Sequence, residues 1–266
     1  EDTVIGCFVI LPGYGKPVGE VEPQIKIAEK AIKNKFAVLI PSINTGIIGE
    51  KEVISSLDKI FQHAVNAYEL PVGNFFIGGF SNGGFVAAEY AVLANQKPNS
   101  TFIKPRAIFG VDPWLDKLRF YERCEKEIAN SFSDVGLQEA TWVKQRFDKI
   151  YGSPDQNLAA YESASVFSHH LKDGGNAKYL INTPIKFYTE LDVEWMINER
   201  KRDLYGWNGT DLIAMINVLR HLGNEHASIE ITKDKGYRLS GLRHPHSWSI
   251  MDTDDLIEWA LSFIRI

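Results

Sequence analysis

Cysteine is scarce: the 266 residues hold only two, Cys7 in an apolar run and Cys124 in a charged helical stretch. A pair so placed could join only if the fold brought it together, so free thiols are expected and a disulfide-stapled fold is excluded. No apolar run approaches the length needed to cross a bilayer, so no membrane span is expected. Internal repeats, low-complexity tracts and Pro/Ser/Gly-rich linkers are missing as well, which points to one domain over residues 1–266. Positive charge is in deficit, with 29 Lys and Arg against 34 Asp and Glu and a net charge of −5. Without a concentrated basic face, neither a nucleic-acid groove nor an anionic membrane surface is an expected partner. The chain opens Glu1-Asp2-Thr3 without methionine, which predicts a segment removed ahead of it and leaves the compartment open. What remains, 44% hydrophobic and 24% charged residues, is the composition of an ordinary globular protein.

The hydrophobic pattern alternates strand and helix. Val4 to Leu11 reads as a buried strand running into Pro12-Gly13-Tyr14-Gly15, and Glu20 to Lys35 as a helix. A strand at Phe36 to Ile40 and a helix at Glu52 to Tyr68 follow. Further strands are expected at Phe75 to Ile77, Arg106 to Val111, Ile185 to Tyr188 and Ala227 to Thr232, with helices at about 211–222 and 254–264. The alternation lapses between about 113 and 183, where Tyr121, Trp142, Phe147 and Tyr151 mix with charges in helix-like stretches; this reads as an inserted helical cap. Strands joined by helical crossovers predict an α/β fold with a doubly wound, mostly parallel sheet.

The segment from Asn74 to Tyr90 is the most informative. A strand buried on both faces runs into Gly79-Phe80-Ser81-Asn82-Gly83, and Ala87, Ala88, Ala91 and Ala94 continue as a helix able to lie close to a sheet. The residues two before and two after a serine on so sharp a corner must be small, and here both are glycine. Gly-x-Ser-x-Gly in strand-turn-helix context is the nucleophile-elbow pattern, with the serine hydroxyl at the carboxyl end of the strand. A plain glycine-rich turn is the bland alternative.

A serine nucleophile needs a base, an acid that orients the base, and donors for an oxyanion. Asp192, just past a strand end, is the preferred acid; Asp112, in Asp112-Pro113-Trp114, is its rival and also suits a turn or helix cap. His246, past the last strand, is the preferred base over His244. The spacing of these two histidines hints at a metal pair, but no further ligands accompany them and no metal is expected. Asn82 N–H, at the start of the elbow helix, and Tyr14 N–H, in the glycine loop, are the expected oxyanion donors. Trp114, Trp142 and Trp248 are candidates for a substrate pocket, with core packing the default for each. Asn99-Ser-Thr101 and Asn208-Gly-Thr210 match the glycosylation sequon.

From first strand to last helix the chain resembles the α/β-hydrolase superfamily of serine esterases and peptidases. The resemblance rests on Gly79-Phe-Ser-Asn-Gly-Gly84, Tyr151-Gly-Ser-Pro-Asp155, the strand ending at Asp192, and His246-Ser-Trp248, similar to the His-x-Trp of small esterases. It implies the α/β-hydrolase fold, Ser81 as nucleophile, His246 as base and Asp192 as acid, in the superfamily's chain order. One departure is that Pro12-Gly13-Tyr14-Gly15 stands where many members carry His-Gly. The expected function is hydrolysis of a small-molecule or carbohydrate carboxylic ester through a Ser81 acyl-enzyme, without a cofactor. An exopeptidase or thioesterase could use the same triad, and a non-catalytic binding module is the reading from another class.

Overall fold

The computed structural model describes residues 3–43, 51–97 and 99–264, with the backbone only at residue 51. Six strands form one wholly parallel sheet: β1 (Gly6–Leu11), β2 (Phe36–Leu39), β3 (Phe75–Phe80), β4 (Ala107–Val111), β5 (Ile185–Glu190) and β6 (Ala227–Thr232), in the order β2-β1-β3-β4-β5-β6. The chain leaves β1 towards one edge to form β2, then returns to lay β3 on the other side of β1. This reversal opens a crevice beyond the carboxyl ends of β1 and β3, where sheets of this type bind ligands. Both the glycine loop and Ser81 lie there.

Period-two alternation explains how the sheet is covered. Cys7, Val9 and Leu11 of β1, with Phe75 and Ile77 of β3, face a core completed by α3 (Lys51–Tyr68), α4 (Asn82–Gln96) and α9 (Asn208–His221). Phe8, Ile10, Phe76 and Phe80 face the opposite core, completed by α1 (Val21–Ile25), α2 (Ile27–Lys33) and α10 (Thr253–Leu261). The helix expected over 20–35 is broken: Lys26 takes φ +49° and separates α1 from α2. Between β4 and β5 the aromatic-rich stretch forms α5 (Lys117–Asn130), α6 (Asp134–Tyr151) and α7 (Pro154–Ala164). Past β5 a single turn, α8 (Val193–Trp195), runs into a π-helical turn at Met196–Arg200.

A buried ion-pair network ties α5 and the turn before it to α9. Asp211 at the start of α9 is wholly buried and accepts from the Arg119 guanidinium, Nη2 at 2.7 Å. It also accepts from Leu115 N–H at 2.8 Å and Asp116 N–H at 3.1 Å, and lies 2.9 Å from His169 Nε2. Burial alone would raise the Asp211 pKa, but the Arg119 charge and these hydrogen bonds outweigh it and hold it down to about 2.

Candidate active site

Ser81 has φ +53° and ψ −120°, a left-handed corner that an L-residue adopts only when its surroundings impose it. They do so here. A Cβ on Gly79 would stand 2.4 Å from the Leu11 carbonyl oxygen, and one on Gly83 would stand 2.3 Å from the same atom. The elbow therefore sits tight against β1, and no alanine fits at either flank. Ser81 N–H donates to the Val111 carbonyl at 2.9 Å, and its own carbonyl receives Gly84 N–H at 3.0 Å and Phe85 N–H at 3.2 Å. Its side chain makes no capping bond to α4, so the hydroxyl is not spent on the helix.

Ser81, Asn82, Tyr14, Asp112 and His246 line one cavity of about 480 Å³. His246 rests on the Phe80 ring, centroids 4.4 Å apart, and its Nδ1 lies 2.6 Å from Asp112 Oδ2. A carboxylate only accepts, so Nδ1 carries the proton and Nε2 keeps its lone pair. Asp112 is itself held: Thr189 Oγ1 donates to Oδ1 at 2.7 Å, and Asn208 Nδ2 donates to its main-chain oxygen at 2.9 Å. Its φ of +48° is a second left-handed conformation at this rim.

The structure brings Asp112 to His246 and does not bring Asp192, the acid preferred from the sequence, to that ring. Asp192 does not line the cavity. Its Oδ1 caps α8 by accepting from Trp195 N–H at 3.0 Å, and its Oδ2 receives Arg243 Nη2 at 2.5 Å. Arg243 also pairs with Glu190 at 2.5 Å and donates to the Gly236 carbonyl at 2.7 Å. Asp192 thus pins the loop that delivers His246, and the carboxylate on the imidazole is Asp112. His244 is engaged elsewhere: Arg200 Nη2 lies 2.9 Å from its Nε2, and burial followed by the Arg238 charge pushes its pKa down to about 3.

The tryptophans divide. Trp142 lines the cavity and stacks on Tyr14 at 5.2 Å, while Trp114 lines it from a buried position stacked on Phe85 at 4.1 Å. Trp248 is not part of the lining; it is buried behind Phe80, 5.4 Å away, and supports the ring beneath His246. Asn208, read above as a sequon, spends its side chain on Asp112 and on Arg123, whose Nη1 donates to Oδ1 at 3.0 Å. Both cysteines are buried thiols, Cys7 pushed up to about 12 and Cys124 to about 11 by burial, which keeps them unreactive. Among the described residues no group of three or more His, Cys, Asp or Glu is arranged to hold a metal ion. Sequence reasoning missed the basic wall of Arg123, Arg200, Arg202 and Arg238. The run Arg200-Lys201-Arg202 was its visible signal.

No protein-family model matches the sequence, and no curated protein matches it. Solved structures do. An S-formylglutathione hydrolase from Agrobacterium tumefaciens shares 11% identity and a TM-score of 0.58, covering 99% of this chain and 86% of that one. The Pyrococcus furiosus esterase Pf2001 shares 13% identity at a TM-score of 0.55, covering 100% and 86%. An alpha-beta hydrolase from Vibrio vulnificus shares 17% identity at 0.51, covering 96% and 71%. At such identities the likeness is one of fold, and the fold of this chain is that of the α/β-hydrolases.

Proposed function

We propose that the protein is a serine hydrolase that cleaves a carboxylic ester through a Ser81 acyl-enzyme, with His246 as base and Asp112 as the orienting acid. The observation that carries this reading is the 2.6 Å contact of His246 Nδ1 with Asp112, which leaves Nε2 as a proton acceptor in the cavity that Ser81 shares. The Ser81 oxygen attacks the ester carbon as His246 Nε2 takes its proton. Collapse of the tetrahedral intermediate breaks the carbon–oxygen bond, and His246 returns that proton to the departing alcohol. Water then repeats the attack on the acyl-enzyme, again through His246, releasing the acid and restoring the serine. Asp112 holds the imidazole tautomer and stabilises the imidazolium formed in each half.

Asn82 is the first residue of α4 and directly follows Ser81, so its N–H lies at the positive amino end of that helix, beside the elbow. With Tyr14 N–H it is assigned to the oxyanion. Helices α5 to α7 act as the cap, since Arg123 of α5 and Trp142 of α6 both reach the cavity wall. Trp114 and Trp142 serve as apolar pocket walls.

A fluorophosphonate probe tests this reading directly, with para-nitrophenyl esters of increasing acyl length and an aminoacyl anilide alongside. Labelling at Ser81, ester turnover, and loss of both in Ser81→Ala are the expected results. Faster anilide cleavage would move the reading to a peptidase. A wild-type protein that resists the probe and turns over none of the substrates would be a binding module on this fold.

A further inference from the structure

Beside the reacting groups the cavity carries a surplus of fixed positive charge. Arg200 and Arg238 meet on the His244 ring: Arg200 Nη2 lies 2.9 Å from Nε2, and Arg238 Nη2 lies 3.3 Å from each ring nitrogen. All three side chains line the cavity, and the His244 ring lies 6.3 Å from the His246 ring. Their neighbours Arg202 and Arg243 are ion-paired, with Glu127 at 2.6 Å and with Glu190 and Asp192 at 2.5 Å. Among the described residues, no carboxylate lies within ion-pair distance of Arg200, Arg238 or Arg123.

Like charges so arranged oppose one another. Burial, followed by the charge of Arg202, lowers the Arg200 pKa, and the Glu127, Glu139 and Glu199 carboxylates offset this only in part; burial, followed by the charge of Arg200, lowers that of Arg238. His244 offers only a neutral lone pair and no countercharge. Several partly buried guanidiniums at the wall of a cavity, joined through a neutral imidazole, cost stability unless an anion completes them. The π-helical turn Met196–Arg200, ending in the left-handed Lys201 at φ +51°, is the irregular backbone that brings Arg200 to this wall. Such turns are rare in helices and recur at functional sites.

We propose that the substrate carries an anionic group, a carboxylate or a phosphate, which docks between Arg200 and Arg238 while its ester bond lies at Ser81. This deepens the hydrolase reading and rests on it for the position of the ester bond. The guanidinium fork matches both oxyanions, giving paired charge-assisted hydrogen bonds that a neutral ester cannot make. The anionic group can belong to the acyl part or to the alcohol, and two pairs of substrates separate these sources. Para-nitrophenyl hemiglutarate against its methyl ester carries the charge on the acyl side; para-acetoxybenzoate against methyl para-acetoxybenzoate carries it on the leaving group.

In one of these pairs the wild type is expected to favour the charged member in kcat/KM by about tenfold to a hundredfold, the range for charged hydrogen bonds. In the double variant R200Q/R238Q that ratio should fall to about one, and in R200K/R238K, which keeps the charges but loses the forks, to a value between. The exposed-lysine variant K33Q should keep the wild-type ratio. Binding of glutarate and of inorganic phosphate to the Ser81→Ala protein, measured by calorimetry, gives a readout free of turnover and should vanish with R200Q/R238Q. Circular dichroism and fluorophosphonate labelling check that the variants are folded. Should neutral esters and the probe fail while glutarate or phosphate still binds through these arginines, the hydrolase reading fails and the anion site stands. Absence of glutarate and phosphate binding, with no preference in either substrate pair, overturns the anion site even in an active enzyme.

Discussion

The substitution Asp112→Asn tests the role proposed for this carboxylate in orienting His246. Asparagine tolerates left-handed backbone, so the φ of +48° at this position is kept without new strain. Thr189 Oγ1 donates to Oδ1 at 2.7 Å. An asparagine therefore keeps its oxygen on the Thr189 side and turns its amide nitrogen towards His246. That nitrogen is a donor, so it forces the imidazole to accept at Nδ1 and to carry its proton on Nε2, where it can no longer take the serine proton. The expected fall in kcat is about four orders of magnitude, as for the equivalent change in serine proteases, or about 5.4 kcal/mol of barrier.

Asp192→Asn is the matched control. Asparagine still caps α8, and what is lost is one partly exposed ion pair with Arg243, worth about 0–1 kcal/mol. Steady-state hydrolysis of an activated ester, with fluorophosphonate labelling rates and thermal unfolding measured alongside, compares the two. Less than a tenfold loss is expected for Asp192→Asn, with both variants folded. An Asp112→Asn protein retaining most of its kcat, beside an Asp192→Asn protein that has lost it, would refute the argument.

Other perturbations probe the frame and the base. Gly83→Ala drives a methyl group to 2.3 Å from the Leu11 oxygen and 2.5 Å from the Pro12 oxygen, both backbone atoms, so a loss of about 3 kcal/mol or more is expected in urea unfolding; a loss under 1 kcal/mol would mean that the elbow is not held against β1. Asp211→Asn leaves Arg119 buried without its countercharge and should cost about 3–5 kcal/mol. The Asp211 pKa is lowered in the fold, from 3.8 to about 2, so its contribution is present above 3.8 and is lost as pH falls through about 2; a wild-type minus variant stability difference that does not shrink over that window would contradict the pairing. His246→Gln should remove ester turnover by several orders of magnitude and His244→Gln by far less, since a ring with a pKa of about 3 is a poor base at neutral pH; the opposite ranking of kcat would exchange their roles.

Much of this was legible because it is written in short-range constraints. Gly79 and Gly83 encode the close approach of the elbow to β1, and the apolar runs at Gly6–Leu11 and Phe75–Phe80 encode strands covered on both faces. The break in the first helix was not legible, because the left-handed backbone at Lys26 has no glycine to announce it. The arginine wall escaped notice because arginines in a sequence read by default as solvated, and only the π-helical turn brings Arg200 inward.

The carboxylate that meets His246 was the hardest part to read, and the reason is physical. β4 and β5 are neighbours in the sheet, so Asp112 and Asp192, each just past a strand end, stand at the same rim. Chain order and strand position therefore offer both carboxylates to His246 on nearly equal terms. The choice is made by a third residue. Arg243, three positions before His246, reaches back to Asp192 and Glu190 and so fixes the loop that carries the histidine. A carboxylate engaged by a guanidinium in this way is poorly placed to stabilise a charge that comes and goes on an imidazole. Among the described residues the Asp112 carboxylate meets, besides His246, only the neutral Thr189 hydroxyl, while the Asn208 amide donates to its main-chain oxygen. The sequence carries Arg243 in plain view, but its pairing with Asp192 spans 51 residues and has no local pattern.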